Sequence, residues 1–444
     1  MSPMSERGRT QSRLGAGVVH MVVVCTALAA CTSNVTPGSA LSPASTADTA
    51  AVSAKPTPRL DDGVLRIGVL LPSSGEGASI GQSARAAVRV AVERANQDGG
   101  VNGRPVELVI RDEGADASTA ALGLQQMIGA QVDAIVGPAS SNNAIALAST
   151  MINADIVSCS PSASALALDT LPSRSLLFRT IASDSLEAEA MAEAIEQTGE
   201  DTAAITFVDD AYGRPLAKAL QVALQRRNLK VTAFSGFAVD DDEFGSEATK
   251  LVSSGSGAIA LIGDPIAGSR MLVALSDAAG PQPRDIVVND ALRRPMSISV
   301  LASIAPAARS KIVGVSQSVV TQSGDLLDAI GVLTNQKATG LFATQAYDCA
   351  NLLMLAALQG KSTTADVIAS QVRTVSAGGS VCDTFASCAS LLADGRSIDY
   401  DGPGGLLQLG ATGDPDMAKF EEFTFDASGR DVTTRSVTVT DRSR

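Results

Sequence analysis

Histidine is almost missing from this chain. Its 444 residues contain one, His20, and His20 lies in a segment that reads as a removable leader. The working protein would then hold none, which excludes Ser-His-Asp and Cys-His catalysis and every His-ligated metal site. Tryptophan is absent and tyrosine occurs three times. Sites that stack sugars or bases rely on aromatic faces, so those ligands are disfavoured. Basic charge is also short: the formal net charge is −13. A binder of nucleic acid or of an anionic membrane surface needs a basic face, and neither partner is expected. What is present is 45% hydrophobic and 18% charged residues. That composition supports a sizeable core, and the length suits two domains.

The first residues have the layout of a targeting segment. Arg7, Arg9 and Arg13 precede an apolar run, Val18 to Ala30. The run is too short to cross ~30 Å of hydrocarbon as a helix. A basic region, a short apolar region and small residues at its end make a secretory signal peptide. The run closes as Leu28-Ala29-Ala30-Cys31, which resembles the bacterial lipobox; the match implies a diacylated Cys31 as first mature residue. The alternative is an ordinary signal peptide with an incidental cysteine. Twenty of the 27 residues from Thr32 to Pro58 are Ser, Thr, Ala or Pro. Such a stretch has little to bury and reads as a disordered tether. The expected organisation is a leader over 1–30 and a tether over 31–63. The expected location is outside the cytoplasm, lipid-anchored to the outer face of the cytoplasmic membrane. Four further cysteines, Cys159, Cys349, Cys382 and Cys388, suggest two disulfides in that compartment. Three pairings are possible. Cys382 with Cys388 is favoured by closeness in sequence, and Cys159 with Cys349 follows by elimination. Two free buried cysteines are the alternative for that second pair. A zinc site is not expected, and neither is any cofactor.

From Val64 onward, short apolar β-rich runs alternate with segments of helical spacing. Strands are predicted at 64–71, 106–111, 132–136 and 155–159, and helices at 81–96, 118–128 and 142–152. The same grammar restarts after Arg179, with strands at 203–208, 231–237, 258–263 and 285–288 and helices at 184–197, 215–227, 243–253 and 269–278. Strand-helix alternation implies right-handed βαβ units and parallel sheets. The fold class is therefore α/β, with two doubly wound lobes. Three more helices are predicted near 326–333, 341–358 and 365–374, and strands with turns over 406–439.

Ligands of open α/β sheets bind beyond the carboxyl ends of the strands. In the first half those ends lead into Ser73-Ser74, Asp112-Glu113, Ser140-Ser141 and Ser160-Pro161-Ser162-Ala163-Ser164. In the second half they lead into Asp209-Asp210-Ala211-Tyr212-Gly213, Asp264 and Asn289-Asp290. Hydroxyls and helix amides suit a carboxylate; acids suit an ammonium. A zwitterion between the halves satisfies both. Ser and Asp are also common helix caps and turn formers, which is the competing explanation for each of them taken singly.

At this point the chain resembles the type I periplasmic solute-binding proteins, in particular the branched-chain amino-acid (leucine/isoleucine/valine) receptors of ABC importers. The carriers are Leu65-Arg66-Ile67-Gly68-Val69, Asn96-Gln97-Asp98-Gly99-Gly100-Val101-Asn102-Gly103 and Ile135-Val136-Gly137-Pro138, followed by Ser160-Pro161-Ser162-Ala163-Ser164, Phe178-Arg179-Thr180 and Asp210-Ala211-Tyr212-Gly213. The resemblance implies a three-stranded hinge near 180–183, 314–317 and 399–402. Lobe I is then 64–182 with 316–398, and lobe II is 183–315 with 399–444. It implies carboxylate binding at Ser141, Ser162 and Ser164, an ammonium at Asp290, and Tyr212 lining the cleft. Asp290 replaces the family's Glu, and Asp264 stands where the branched-chain receptors carry an aromatic; an acid there would meet a second donor on a polar or basic ligand. The implied function is capture of an amino acid or similar small polar solute, with ABC permease subunits as partners and no enzymatic activity. The rival reading is a ligand-sensing lipoprotein on the same fold.

Three motifs point elsewhere. Gly77-Ala78-Ser79-Ile80-Gly81 matches the nucleophile elbow G-x-S-x-G, but it lies several residues beyond its strand and no histidine can serve as base. Gly75 and Gly77 belong to neither phosphate-loop pattern. Asp240-Asp241-Asp242-Glu243 evokes a calcium loop, but Phe244 occupies a ligand position.

Overall fold

Strand β1 (Arg66–Leu71) is an apolar run buried along almost its whole length, as a strand covered on both faces must be. Helix α1 (Ala78–Gln97) follows and turns Ala84, Ala87, Val88, Ala91 and Val92 into the core as one stripe. The alternation continues through β2 (Glu107–Asp112), α2 (Ala117–Gly129), β3 (Ala134–Val136), α3 (Ser141–Asn153), β4 (Val157–Ser160) and β5 (Leu177–Arg179). The computed structural model describes residues 61–440 except 76, 172–175, 242, 294–297, 319–323 and 336–341. The expected leader, Cys31 and the tether up to residue 60 lie outside the described residues.

These five strands form a parallel sheet in the order β2-β1-β3-β4-β5. Gly137 starts the loop after β3 with φ +114°, and a Cβ there would sit 2.0 Å from the Leu70 carbonyl oxygen. Only glycine allows that backbone to pass so close over β1.

The chain then enters a second α/β layer: α4 (Asp184–Gln197), β6 (Thr202–Val208), α5 (Gly213–Arg226), β7 (Lys230–Phe237), α6 (Gly245–Val252), β8 (Ala258–Ile262), α7 (Ala267–Ala279) and β9 (Asp285–Val288). Short helices α8 (Ile298–Ser303) and α9 (Pro306–Arg309) lead to β10 (Ile312–Gln317). Helices α10 (Gly324–Thr334), α11 (Ala343–Gly360) and α12 (Ala365–Val372) pack back on the first lobe. So do the small pair β11 (Ser380–Cys382) and β12 (Ile398–Tyr400) and the intervening α13 (Phe385–Ala393). The chain ends its described course with β13 (Met417–Phe425) and β14 (Asp431–Thr440) on the second sheet.

That sheet runs β14-β13-β10-β9-β8-β6-β7. It is mixed rather than wholly parallel, because β13 pairs antiparallel with both β10 and β14. A tight turn joins β13 to β14, and only antiparallel strands can be joined so directly. The chain thus crosses between the sheets three times: after β5, after β10 and after β12. Leu407 and Leu409 are buried in the first core, so the third crossing is completed later than residues 399–402.

Helix α13 and the short strands β5, β11 and β12 are elements the periodicity did not predict. Three-residue strands carry no readable alternation, and α13 is fixed by local chemistry instead. Thr384 and Ser387 form its capping box, and Cys382 is bonded to Cys388 across its first turn. The second disulfide joins Cys159 of β4 to Cys349 of α11.

Candidate functional site

The loops after β3 and β4 are laced together by serines. Ser158 Oγ donates to the Gly137 carbonyl (2.6 Å) and Ser160 Oγ to that of Pro138 (2.6 Å). Ser162 Oγ donates to the Ala139 carbonyl at 2.9 Å. Ser141 Oγ accepts from the Ala165 amide at 3.2 Å. Ser140, not Ser141, caps α3, accepting from the Asn143 amide. Behind them lies Glu113, a buried acid that the sequence groups with the cleft residues. Its carboxylate accepts from the amides of Ala139 (2.7 Å) and Ser140 (2.8 Å) and from Asn143 Nδ2 (2.9 Å). Burial pushes Glu113 above its ordinary range, although these donors pull the other way. Part of the anion-binding capacity at the α3 N-terminus is therefore filled by the protein's own carboxylate.

Arg179 fixes the Ser160–Ala165 loop from below. It is buried, bonded to Asp414 (2.8 Å) and Asp169 (2.5 Å), and donates to the carbonyls of Ala163 and Ala165. Asp169 also accepts from Ser183 Oγ at 2.8 Å, so one carboxylate joins this loop to the start of α4.

The opposite wall is acidic. Asp184 opens α4 and its amide donates to the Ser164 carbonyl at 3.0 Å. The Ser164 hydroxyl in turn bonds the Asp184 carboxyl. One turn on, Glu187 Oε1 accepts from the Asp290 amide at 2.8 Å. Tyr212 Oη lies 3.5 Å from Asp290 Oδ1 and accepts from Asn289 Nδ2 at 3.0 Å. Burial first, then the charge of Asp290, raises Asp184 to about 7 and lifts Glu187 well above its ordinary value. Tyr212 is raised too, by burial and then by Glu187 and Asp290.

Ser162, Ser164, Asp184, Glu187 and Asp290 line one cavity between the two sheets, together with Ile181, Gln317, Phe342 and Phe420. Of the residues singled out in the sequence, the structure brings Ser162, Ser164 and Asp290 together there. Ser141 and Tyr212 support it from behind, through Ala165 and Asp290. Asp264 is elsewhere: its Oδ1 accepts from the Ile266 and Ala267 amides (2.7 and 2.9 Å) and starts α7. Asp184 and Glu187 were missed because a helical stripe hides them. At the start of α4 they read as ordinary first-turn acids, and only the packing of α4 against the Asn289-Asp290 turn reveals the cluster. A larger groove runs along the crossing segments, lined by Gln317, Asp401, Gly402, Leu406 and Lys419 among others. It meets the first cavity at Gln317, which lines both.

Two sheets with a cavity between the carboxyl ends of their strands, joined by three crossings, define a two-lobed binding protein. Among the described residues no helix is long and apolar enough to cross a membrane. The sequence profile of the family described as periplasmic binding protein matches residues 64–405, and the chain belongs to that family. It is similar to the chemotactic signal transduction system substrate-binding protein BasB of Halobacterium salinarum, at 29% identity over 79% of this chain and 84% of that protein. It is also 26% identical to Leu/Ile/Val-binding protein homolog 3 of Brucella melitensis, over 48% of this chain and 58% of that one. Among solved structures, the branched-chain amino acid transporter substrate-binding protein LivJ of Streptococcus pneumoniae, in complex with isoleucine, covers 85% of this chain and 100% of its own. Its TM-score is 0.63 at 20% identity, a likeness of fold.

Proposed function

We propose that this protein is an extracytoplasmic receptor that captures an amino acid or similar small polar solute for an ABC importer. It performs no chemistry on the ligand and is held to the membrane by lipid on Cys31. The observation that carries this reading is the interlobe cavity. One wall offers the hydroxyls and backbone of the Ser160–Ala165 loop, and the other offers Asp184, Glu187 and Asp290. A ligand carboxylate is assigned to the Ser162 and Ser164 side of the loop that Ser141 holds through the Ala165 amide, and its ammonium to Asp290 with Tyr212 behind it. Asp264 is left to cap α7. Contacts from both lobes to one ligand favour the closed form. The names of the Leu/Ile/Val-binding relatives support the amino-acid class.

Calorimetry of the processed protein against a panel of free amino acids tests the reading: one or more should bind, and no binding across the panel would overturn it. Cys31→Ala should release the protein from the membrane fraction. The chemotactic relative, matched over most of its length, favours a second reading in which the bound receptor signals. Loss of solute uptake on gene deletion supports transport; loss of a behavioural response with uptake intact supports sensing.

A further inference from the structure

We infer that Gln317 is a specificity-determining residue of this cavity, its side-chain NH2 donating to an oxygen of the bound solute. The inference rests on the receptor reading above and adds to it a contact made from the crossing segments. Gln317 ends β10, the second crossing, and pairs with Phe420 of β13. Its Oε1 accepts from the Ala182 amide at 2.9 Å. Ala182 belongs to the first crossing, and both residues line the cavity. A backbone N–H can only donate, so this bond fixes which end of the carboxamide is oxygen. Nε2 is then the other end, and neither of its two protons has an acceptor among the described residues.

The rest of the cavity wall makes such a donor scarce. Asp184, Glu187 and Asp290 contribute carboxyl groups, which only accept when ionised. Ser162 Oγ donates to the Ala139 carbonyl, and Ser183 Oγ donates to Asp169. The Ser164 hydroxyl and the Gln317 NH2 are the side-chain donors that remain among the lining residues. A solute with an oxygen at the crossing segments meets the Gln317 NH2. One without it leaves the group unpaired in a site that closure dries out, and a buried donor without an acceptor is costly. Two kinds of oxygen qualify: the α-carboxylate common to all amino acids, and a side-chain carbonyl such as that of asparagine or glutamine. Either one would bear on the first and second crossings together, because one planar amide joins them.

The test is calorimetry on the processed protein near neutral pH with alanine, leucine, norleucine, asparagine and glutamine, in wild type and two variants. Gln317→Glu keeps an oxygen for the Ala182 amide but removes the donor. Gln317→Met removes both and adds no charge. Each variant should weaken at least one amino acid that wild type binds by about 10-fold or more, the size of one hydrogen bond whose partner is left unpaired. A loss shared by every bound amino acid identifies the carboxylate as the partner. A loss confined to asparagine or glutamine identifies the side-chain carbonyl. A loss confined to alanine, leucine or norleucine fits neither oxygen and overturns the inference. So does a smaller loss in either variant, with the receptor reading intact: an effect of Gln317→Glu alone is charge repulsion, and an effect of Gln317→Met alone is loss of the Ala182 bond. If Gln317→Met does not fold, Gln317→Glu is repeated at high salt; a loss that persists upholds the inference, and one that salt abolishes overturns it. No binding of any of the five by wild type overturns both the inference and the receptor reading.

Discussion

Replacing Glu113 should damage both stability and the ligand wall, although Glu113 does not line the cavity. Its side chain is almost fully buried, and its two oxygens take three donors at 2.7, 2.8 and 2.9 Å. Hydrogen bonds to a charged group contribute about 1.5–3 kcal/mol each. The three are not additive, and water would fill part of a vacated space. Glu113→Ala should therefore cost about 3–5 kcal/mol, the range for breaking a buried charged network. Glu113→Gln keeps the shape but turns an NH2 toward a donor, so it should cost less, about 1–3 kcal/mol. Urea unfolding followed by circular dichroism gives the order: wild type above Gln above Ala. Ser141 begins the helix whose entry Glu113 fixes, so ligand affinity of a folded variant should also fall. If Glu113→Gln unfolds within about 0.5 kcal/mol of wild type, the usual scatter of a surface substitution, the internal-anion role is refuted.

Other outcomes follow from the same structure. The Cys159–Cys349 bond spans 190 residues and Cys382–Cys388 spans 6; on the loop-entropy relation their removal costs about 5 and about 2 kcal/mol. Alanine pairs compared by chemical denaturation should keep that order, and a reversal contradicts it. Burial raises Asp184 to about 7 and Asp348, bonded to Tyr400 and the Gly404 amide, to about 8, from 3.8. The folded chain then holds more protons than the unfolded one between those limits, so stability should fall as pH rises from about 4 to about 8. A melting temperature at pH 8 equal to or above that at pH 5 in ligand-free protein would contradict this. Asp290→Ala should weaken ligand binding about 30-fold or more, whereas Ser141→Ala should cost only about 1–2 kcal/mol. Calorimetry showing the reverse order would invert the assigned polarity.

The sequence by itself determined much of this protein. Hydrophobic periodicity placed the helix Asp184–Gln197 and the strand Asp285–Val288 at their observed bounds, and most other elements within a few residues. Periodicity is a local property, set by which side of a strand or helix meets the core, and it survives without tertiary knowledge. The scarcity of histidine and the absence of tryptophan are likewise read from composition alone. Short elements fixed by a disulfide or a cap, such as α13, were not legible, because no stripe forms over so few residues.

Only the tertiary structure decided which polar residues share a site. In one dimension Asp112-Glu113, Asp264 and Asn289-Asp290 look alike, each an acid after a strand. In three, Asp112 is tied to the Ser73 amide and Ser74 hydroxyl, Glu113 fills the entry of α3, Asp264 caps α7, and Asp290 faces the cavity. Asp184 and Glu187 join Asp290 because α4 packs its first turn against the turn after β9, a contact between residues about a hundred positions apart. A carboxylate's role depends on which donors surround it and how much water is removed from it. Both are set by long-range packing, which local sequence does not encode.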